Sequence, residues 1–145
     1  MFEKILYPTD FSGLSKDVLD VLKKNFPDHD VVVLHVVDTK VMDFSDRYAP
    51  EVFAGIEKNV EENARKKLKS IEDNLTGKGF AVTVRLERGV PFREILRVAE
   101  EEEVSLIIIG SHGMSNVAEM LLGSVSEKVV RKSTAPVLVV KRERA

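Results

Sequence analysis

The 145 residues include no cysteine and no tryptophan. Disulfides and thiolate-ligated metal sites are therefore excluded. Neither sign of charge dominates: 22 Lys and Arg face 24 Asp and Glu, for a net charge of -2. A dedicated nucleic-acid binder carries a clear basic excess, so that class is set aside. No apolar run approaches the roughly 20 residues that a membrane helix needs. The amino terminus has no basic stretch followed by a long apolar segment, so no signal peptide is expected. The expectation is a cytoplasmic protein without a membrane partner. The apolar share, 43%, is ordinary for a folded protein. At this length one domain spanning residues 1–145 is the natural reading.

Two kinds of segment alternate along the chain. Short β-rich runs fall at residues 4–7, 31–37, 80–86, 106–109 and 137–140. The second, fourth and fifth are nearly continuous apolar runs, as strands covered on both faces require. The third alternates (Val82-Thr83-Val84-Arg85-Leu86) and reads as nearer an edge. Between the runs lie helical patterns. Leu14, Val18, Leu22 and Phe26 recur every four residues. Phe53, Ile56, Val60, Ala64, Leu68, Ile71 and Leu75 keep one stripe along a longer helix, which Gly77-Lys78-Gly79 ends. Phe92, Ile95, Leu96 and Ala99 make a third stripe, with Pro91 in its first turn. A last helix is expected over residues 125–132, stopped before Pro136. Residues 38–50 have no clear period and read as a mobile loop. The order β-α-β-α-β-α-β-α-β predicts a five-stranded parallel doubly wound sheet with helices on both faces.

Such sheets bind ligands beyond the carboxyl ends of their strands, where the strand order reverses. The first and fourth strands should end there, and both ends are unusual. The fourth runs into Gly110-Ser111-His112-Gly113, then nine residues, then Gly123-Ser124. Glycine lets a backbone take left-handed dihedrals and approach a ligand closely. Gly123-Ser124 then opens a helix, whose first N–H groups and dipole suit a phosphate. The hydroxyls of Ser124 and Ser126 can add donors. The first strand ends in Pro8-Thr9-Asp10, followed by Ser12. A carboxylate there can accept from a ribose hydroxyl or help hold a divalent cation.

These residues resemble the ATP-binding branch of the universal stress protein family. The match is carried by Gly110-x2-Gly113-x9-Gly123-Ser124, by Ile5-Leu6-Tyr7-Pro8-Thr9-Asp10-Phe11-Ser12, by Leu34-His35-Val36-Val37-Asp38 and by Ala135-Pro136-Val137-Leu138-Val139-Val140. It covers essentially the whole chain. The resemblance implies a Rossmann-like fold of the adenine nucleotide α-hydrolase type, holding ATP with Mg or Mn. It implies that Pro8, Thr9 and Asp10 line the adenosine end, with Val36 and Ile109 bordering the base. It places Gly110 and Gly113 near ribose and phosphates, and Gly123, Ser124, Val125 and Ser126 around the phosphates. The family often has threonine where this chain has Ser126; either supplies a hydroxyl. The resemblance also implies a homodimer paired through the last strand, residues 137–140.

Plainer readings stand beside these. Ser124 and Glu127 fit a capping box that needs no ligand. Asp10 fits a cap on the first helix. His112 has no acidic neighbour in sequence, which favours a loop or phosphate-neighbour role over a catalytic base. His35 reads as structural and His29 as a surface turn residue. The acidic run 100–103 reads as a solvated helix end, unfavourable to the dipole. The last strand, if an edge, can pair with a second copy or be covered by a loop of its own chain. Three functions compete. The first is an ATP-binding stress-response or regulatory protein, with nucleotide as a switch and slow hydrolysis at most. The second is a genuine ATPase or nucleotidyl-transfer enzyme. The third is a nucleotide-free dimerisation module. There is no Walker-type Gly-Lys-Ser/Thr and no evident base–nucleophile pair, so no catalytic residue is assigned.

Overall fold

A computed structural model of the chain describes residues 3–12, 14–39, 50–111 and 122–141. Nine elements follow in sequence: β1 (Lys4–Pro8), α1 (Leu14–Asn25), β2 (Asp30–Asp38), α2 (Pro50–Thr76), β3 (Ala81–Gly89), α3 (Pro91–Glu101), β4 (Leu106–Gly110), α4 (Ser124–Lys132) and β5 (Val137–Val140). The loop expected over residues 38–50 lies largely outside the described residues. The strands form one sheet in the order β3-β2-β1-β4-β5, and every neighbouring pair is parallel. The chain winds outward from β1 through β2 to β3, then crosses back to lay β4 and β5 on the other side. Strand order therefore reverses between β1 and β4.

Period-two side-chain direction divides the core in two. Ile5, Tyr7, Val31, Val33, Leu106 and Ile108 point to one face, where Val18 and Leu22 of α1 and Leu68 and Leu75 of α2 cover them. Leu6, Val32, Leu34, Ile107 and Ile109 point to the other, under Ile95, Val98 and Ala99 of α3 and Val129 of α4. β1, β2 and β4 are interior strands covered on both faces, which is why the runs of β2 and β4 are nearly continuously apolar. Each such side chain contributes about 1.5–3 kcal/mol on burial. β3 is an edge strand, consistent with its alternating sequence.

Three local expectations need correction. The apolar stripe of α2 does not stay in the core. The helix has 27 residues, about 40 Å at 1.5 Å per residue, while the nine-residue strands beneath it reach about 30 Å. Its first turns overhang the carboxyl edge, leaving Ile56 41% exposed. Second, the apolar run of β5 is not covered on both faces: it forms the other edge of the sheet, with Leu138 exposed. The Gly77-Lys78-Gly79 stop after α2 holds, with Gly79 as its left-handed residue at φ +95°. The turn is closed by Phe80 N–H donating to Leu75 O at 3.1 Å. Third, the acidic run is only partly a solvated end. Glu102 pairs with Lys4 of β1, and Glu101 pairs with Arg85 of β3 and with Arg97. Lys4 and Arg85 come from distant positions, Arg97 from one turn back on α3, and together they offset the unfavourable dipole term. They hold the carboxyls of Glu101 and Glu102 below the ordinary range by hydrogen bonding.

Candidate functional site at the carboxyl edge of the sheet

The rim of the sheet is stepped. Register between β1 and β2 ends at Pro8 and Leu34, while β2 continues beside β3 as far as Asp38. Val36 lies two residues above the last β1 partner, half-buried against the α3/α4 face of the core. The ladder reaches one residue past β1, because Thr9 N–H donates to Leu34 O at 2.8 Å.

Beyond this point two short side chains turn the backbone. Thr9 Oγ1 accepts from Phe11 N–H at 3.0 Å, and Asp10 Oδ1 accepts from Ser12 N–H at 2.9 Å. Ser, Thr and Asp favour such turns because their oxygens reach a backbone N–H two residues on. The Asp10 bond ends at Ser12, two residues ahead of α1, so Asp10 organises the turn rather than capping the helix. Phe11, at the turn, has φ +64°, a left-handed value unusual for a bulky side chain.

Across the switch point, β4 ends at Ile109-Gly110, and Ser111 follows, buried. Ser111 N–H donates to Val140 O at 2.8 Å, and Gly123 N–H donates back to Ser111 O at 2.6 Å. Ser126, only 4% exposed, donates its hydroxyl to Gly110 O at 2.6 Å. Two bonds therefore tie the start of α4 to the end of β4. Gly113 and His112 lie outside the described residues.

The helix start differs from the capping-box reading. Gly123 is the N-cap residue, with φ -70° and ψ 164°, and no side chain caps α4. Ser124 is the first helical residue and is exposed. Glu127 points away to Arg131, its ion-pair partner. The first-turn N–H groups at Ser124, Val125 and Ser126 precede any intrahelical acceptor. The glycine role also narrows. Among the described glycines, positive φ occurs at Gly79 and Gly89. Gly110 and Gly123 thus contribute a missing side chain rather than a left-handed bend.

The sequence reading missed the use of His35. Its ring stacks on Phe11, with centroids 4.2 Å apart, and Nδ1 lies 2.7 Å from Thr9 O. A carbonyl only accepts, so Nδ1 must carry the proton and donate. Burial pushes the His35 pKa below 6.5, partly countered by this bond and by Asp10, while Lys67 adds to the depression. A polar residue inside an apolar strand was the available signal. Among the described residues no three His, Asp or Glu side chains gather to hold a metal ion by themselves. A cation here would share Asp10 with a ligand's own oxygens.

The universal stress protein family model matches residues 1–141. The chain belongs to the universal stress protein family. It is 41% identical to universal stress protein MJ0577 of Methanocaldococcus jannaschii, over 99% of this chain and 97% of that one. The solved structure of MJ0577 superposes with a TM-score of 0.91 at 40% identity, covering 100% of this chain and 99% of the other. The Rossmann-like α/β architecture is thus that of the family. More distant family structures share the fold. A universal stress protein in complex with cAMP has 20% identity and a TM-score of 0.70, with 97% of each chain covered. An Arabidopsis thaliana family protein with AMP bound has 16% identity and the same TM-score, covering 97% of this chain and 92% of its own. No helix among the described residues is long and apolar enough to cross a membrane.

Proposed function

We propose that this universal stress protein binds ATP, with Mg or Mn, at the carboxyl edge between β1 and β4, and that the bound nucleotide acts as a regulatory switch. The observation that carries the reading is the uncapped start of α4, tied to the end of β4 by the Gly123–Ser111 and Ser126–Gly110 bonds. Backbone N–H groups and the helix dipole favour an anion at such a place. Gly123, Ser124, Val125 and Ser126 hold the phosphates, Ser126 through its N–H, since its hydroxyl is committed to Gly110. Gly110 and Gly113 give the ribose and phosphates close approach to the backbone. Val36 and Ile109, both on the α3/α4 face, border the adenine. Pro8, Thr9 and Asp10 form the adenosine end, where Asp10 meets the ribose or the cation. Two proteins of the same fold carry adenine nucleotides, which supports the ligand class. Hydrolysis, where it occurs, is slow, and no catalytic residue is assigned. β5 is a sheet edge with Leu138 37% exposed. An apolar edge of this kind favours pairing, and we assign it to a second copy of the chain.

Acid extraction of the purified protein, followed by ion-exchange chromatography beside adenine nucleotide standards, should release ATP. Gly123→Val should abolish that peak and the affinity for added MgATP, because a branched side chain then occupies the phosphate position. Affinity within a few-fold of the wild type would refute the phosphate assignment.

A further inference from the structure

Three observations meet at one turn. The His35 ring donates from Nδ1 to Thr9 O at 2.7 Å across 26 residues of sequence. The same ring stacks on Phe11 at an interplanar angle of 29°. Phe11 holds a left-handed backbone that a bulky residue enters only when its surroundings impose it. Lys67 of α2 also places its ammonium over the Phe11 ring, 5.3 Å from the centroid. Phe11 is thus held by contacts from both β2 and α2, and its position sets where the Thr9–Asp10 backbone points. The Phe11 and Ser12 amides are then spent on Thr9 Oγ1 and Asp10 Oδ1, which orients both side chains.

We propose that His35 is a positioning residue for the nucleotide site: its bond to Thr9 O and its stack on Phe11 hold the turn that presents Asp10 to the ligand. This rests on the nucleotide reading above. His35 itself lies on the α1/α2 face of β2, whereas Val36 faces the α3/α4 side. It therefore acts through the turn and does not touch the nucleotide. A group filling the core and nothing more would lower stability on removal without changing affinity.

The test separates these outcomes with the full chain and MgATP as probe. In the nucleotide-free protein, nitrogen NMR of the imidazole should report the Nδ1–H tautomer at neutral pH. His35→Leu should displace the amide resonances of Phe11 and Ser12 and leave those of Ile107 and Ile108 in place. By calorimetric titration His35→Leu should weaken MgATP binding about ten-fold, the scale of one hydrogen bond and its geometry. His35→Asn keeps a donor near the Nδ1 position and should recover affinity to within about three-fold. Phe11→Leu, which removes the ring contacts with His35 and Lys67 and keeps the His35–Thr9 bond, should also weaken binding. The proposal is overturned if His35→Leu binds MgATP like the wild type, or if the two turn amides do not move. A wild-type protein that binds no MgATP while His35→Leu still moves those amides would overturn the nucleotide reading and leave His35 as organiser of the turn.

Discussion

Two helices begin at the carboxyl edge of the same sheet, and they begin differently. α3 follows β3, and α4 follows β4. Both lack a side-chain cap, and both close their first turn the same way: Glu94 N–H donates to Val90 O at 3.0 Å, and Glu127 N–H donates to Gly123 O at 2.9 Å. Each has a glutamate in that turn drawn toward an arginine three or four residues on, Arg97 or Arg131. Yet α3 opens with Val90 and Pro91, a side chain followed by a residue without an N–H. α4 opens with Gly123 and Ser124, a bare backbone followed by a donor. α3 also starts over an edge strand, whereas α4 starts beside the reversal of strand order. A helix amino terminus is thus not a ligand site by default. The stripped backbone and the place in the topology set α4 apart.

Variants that blur this difference should have graded effects. Gly123→Val, which gives α4 the side chain that α3 carries at Val90, should cost MgATP at least about 100-fold in affinity, or about 2.7 kcal/mol. The reciprocal Val90→Gly should confer no second site; calorimetric stoichiometry would reveal one. Ser124→Pro copies Pro91. Proline is tolerated at the first helical position, so thermal stability should barely change. One donor to a charged group is lost, and affinity should fall by about ten-fold. Unchanged affinity would mean that the Ser124 N–H does not meet the phosphates. Ser126→Ala leaves the Gly110 carbonyl without its hydroxyl partner. Denaturant unfolding should register a loss of about 1 kcal/mol, and no loss would show that water replaces the hydroxyl.

The smallest effect concerns pH. Glu94 and Glu101 of α3 and its C-cap Glu102 are held below 4.5 chiefly by hydrogen bonds to Arg97, Arg85 and Lys4 respectively. A depressed carboxylate adds stability above its unfolded value, and that stability is lost as pH falls through the folded value. Decline from this source therefore begins near pH 4.5. His35, with its pKa depressed chiefly by burial, against the Thr9 bond and Asp10 and with a smaller push from Lys67, acts earlier. It prefers to be neutral in the fold, so stability is complete above about 6.5 and falls as pH drops below that value toward the depressed folded pKa. Thermal unfolding between pH 8 and 3 should show two stages. Arg85→Ala should reduce the lower stage and His35→Leu remove the upper. The α3 pairs lie at the surface, partly open to solvent, so the lower stage should be modest. A midpoint independent of pH above 5 would contradict the assignment to His35.

Much of the fold was legible in the residues. The unbroken runs of β2 and β4 announced strands covered on both faces, and the alternation in β3 announced an edge; the equally apolar run of β5 announced the same cover, yet it is the other edge of the sheet. Strand ends were less legible. β2 and β3 run on to Asp38 and Gly89 because each pairs with the other past the end of β1, and pairing leaves no mark on local composition. The stripe of α2 overstated the core, since periodicity does not say where the underlying sheet stops. At the site, Ser124 and Glu127 match a capping box as text. The chain instead enters α4 one residue earlier, with Gly123 held by Ser111. The acidic run 100–103 looked unexplained because its partners, Lys4 and Arg85, are far away in sequence.

Composition, apolar periodicity and glycine spacing, together with family resemblance, were enough to determine the class of this protein, its alternating elements and the two strands, β1 and β4, that meet where the strand order reverses. These properties are local, set by propensity and by the burial of each segment. Only the tertiary structure decided that Ser126 serves Gly110, that Asp10 shapes a turn instead of capping a helix, and that His35 grips Thr9. Each of those is a hydrogen bond between groups that folding brings together, and the geometry of a donor and its acceptor exists only once the chain is packed.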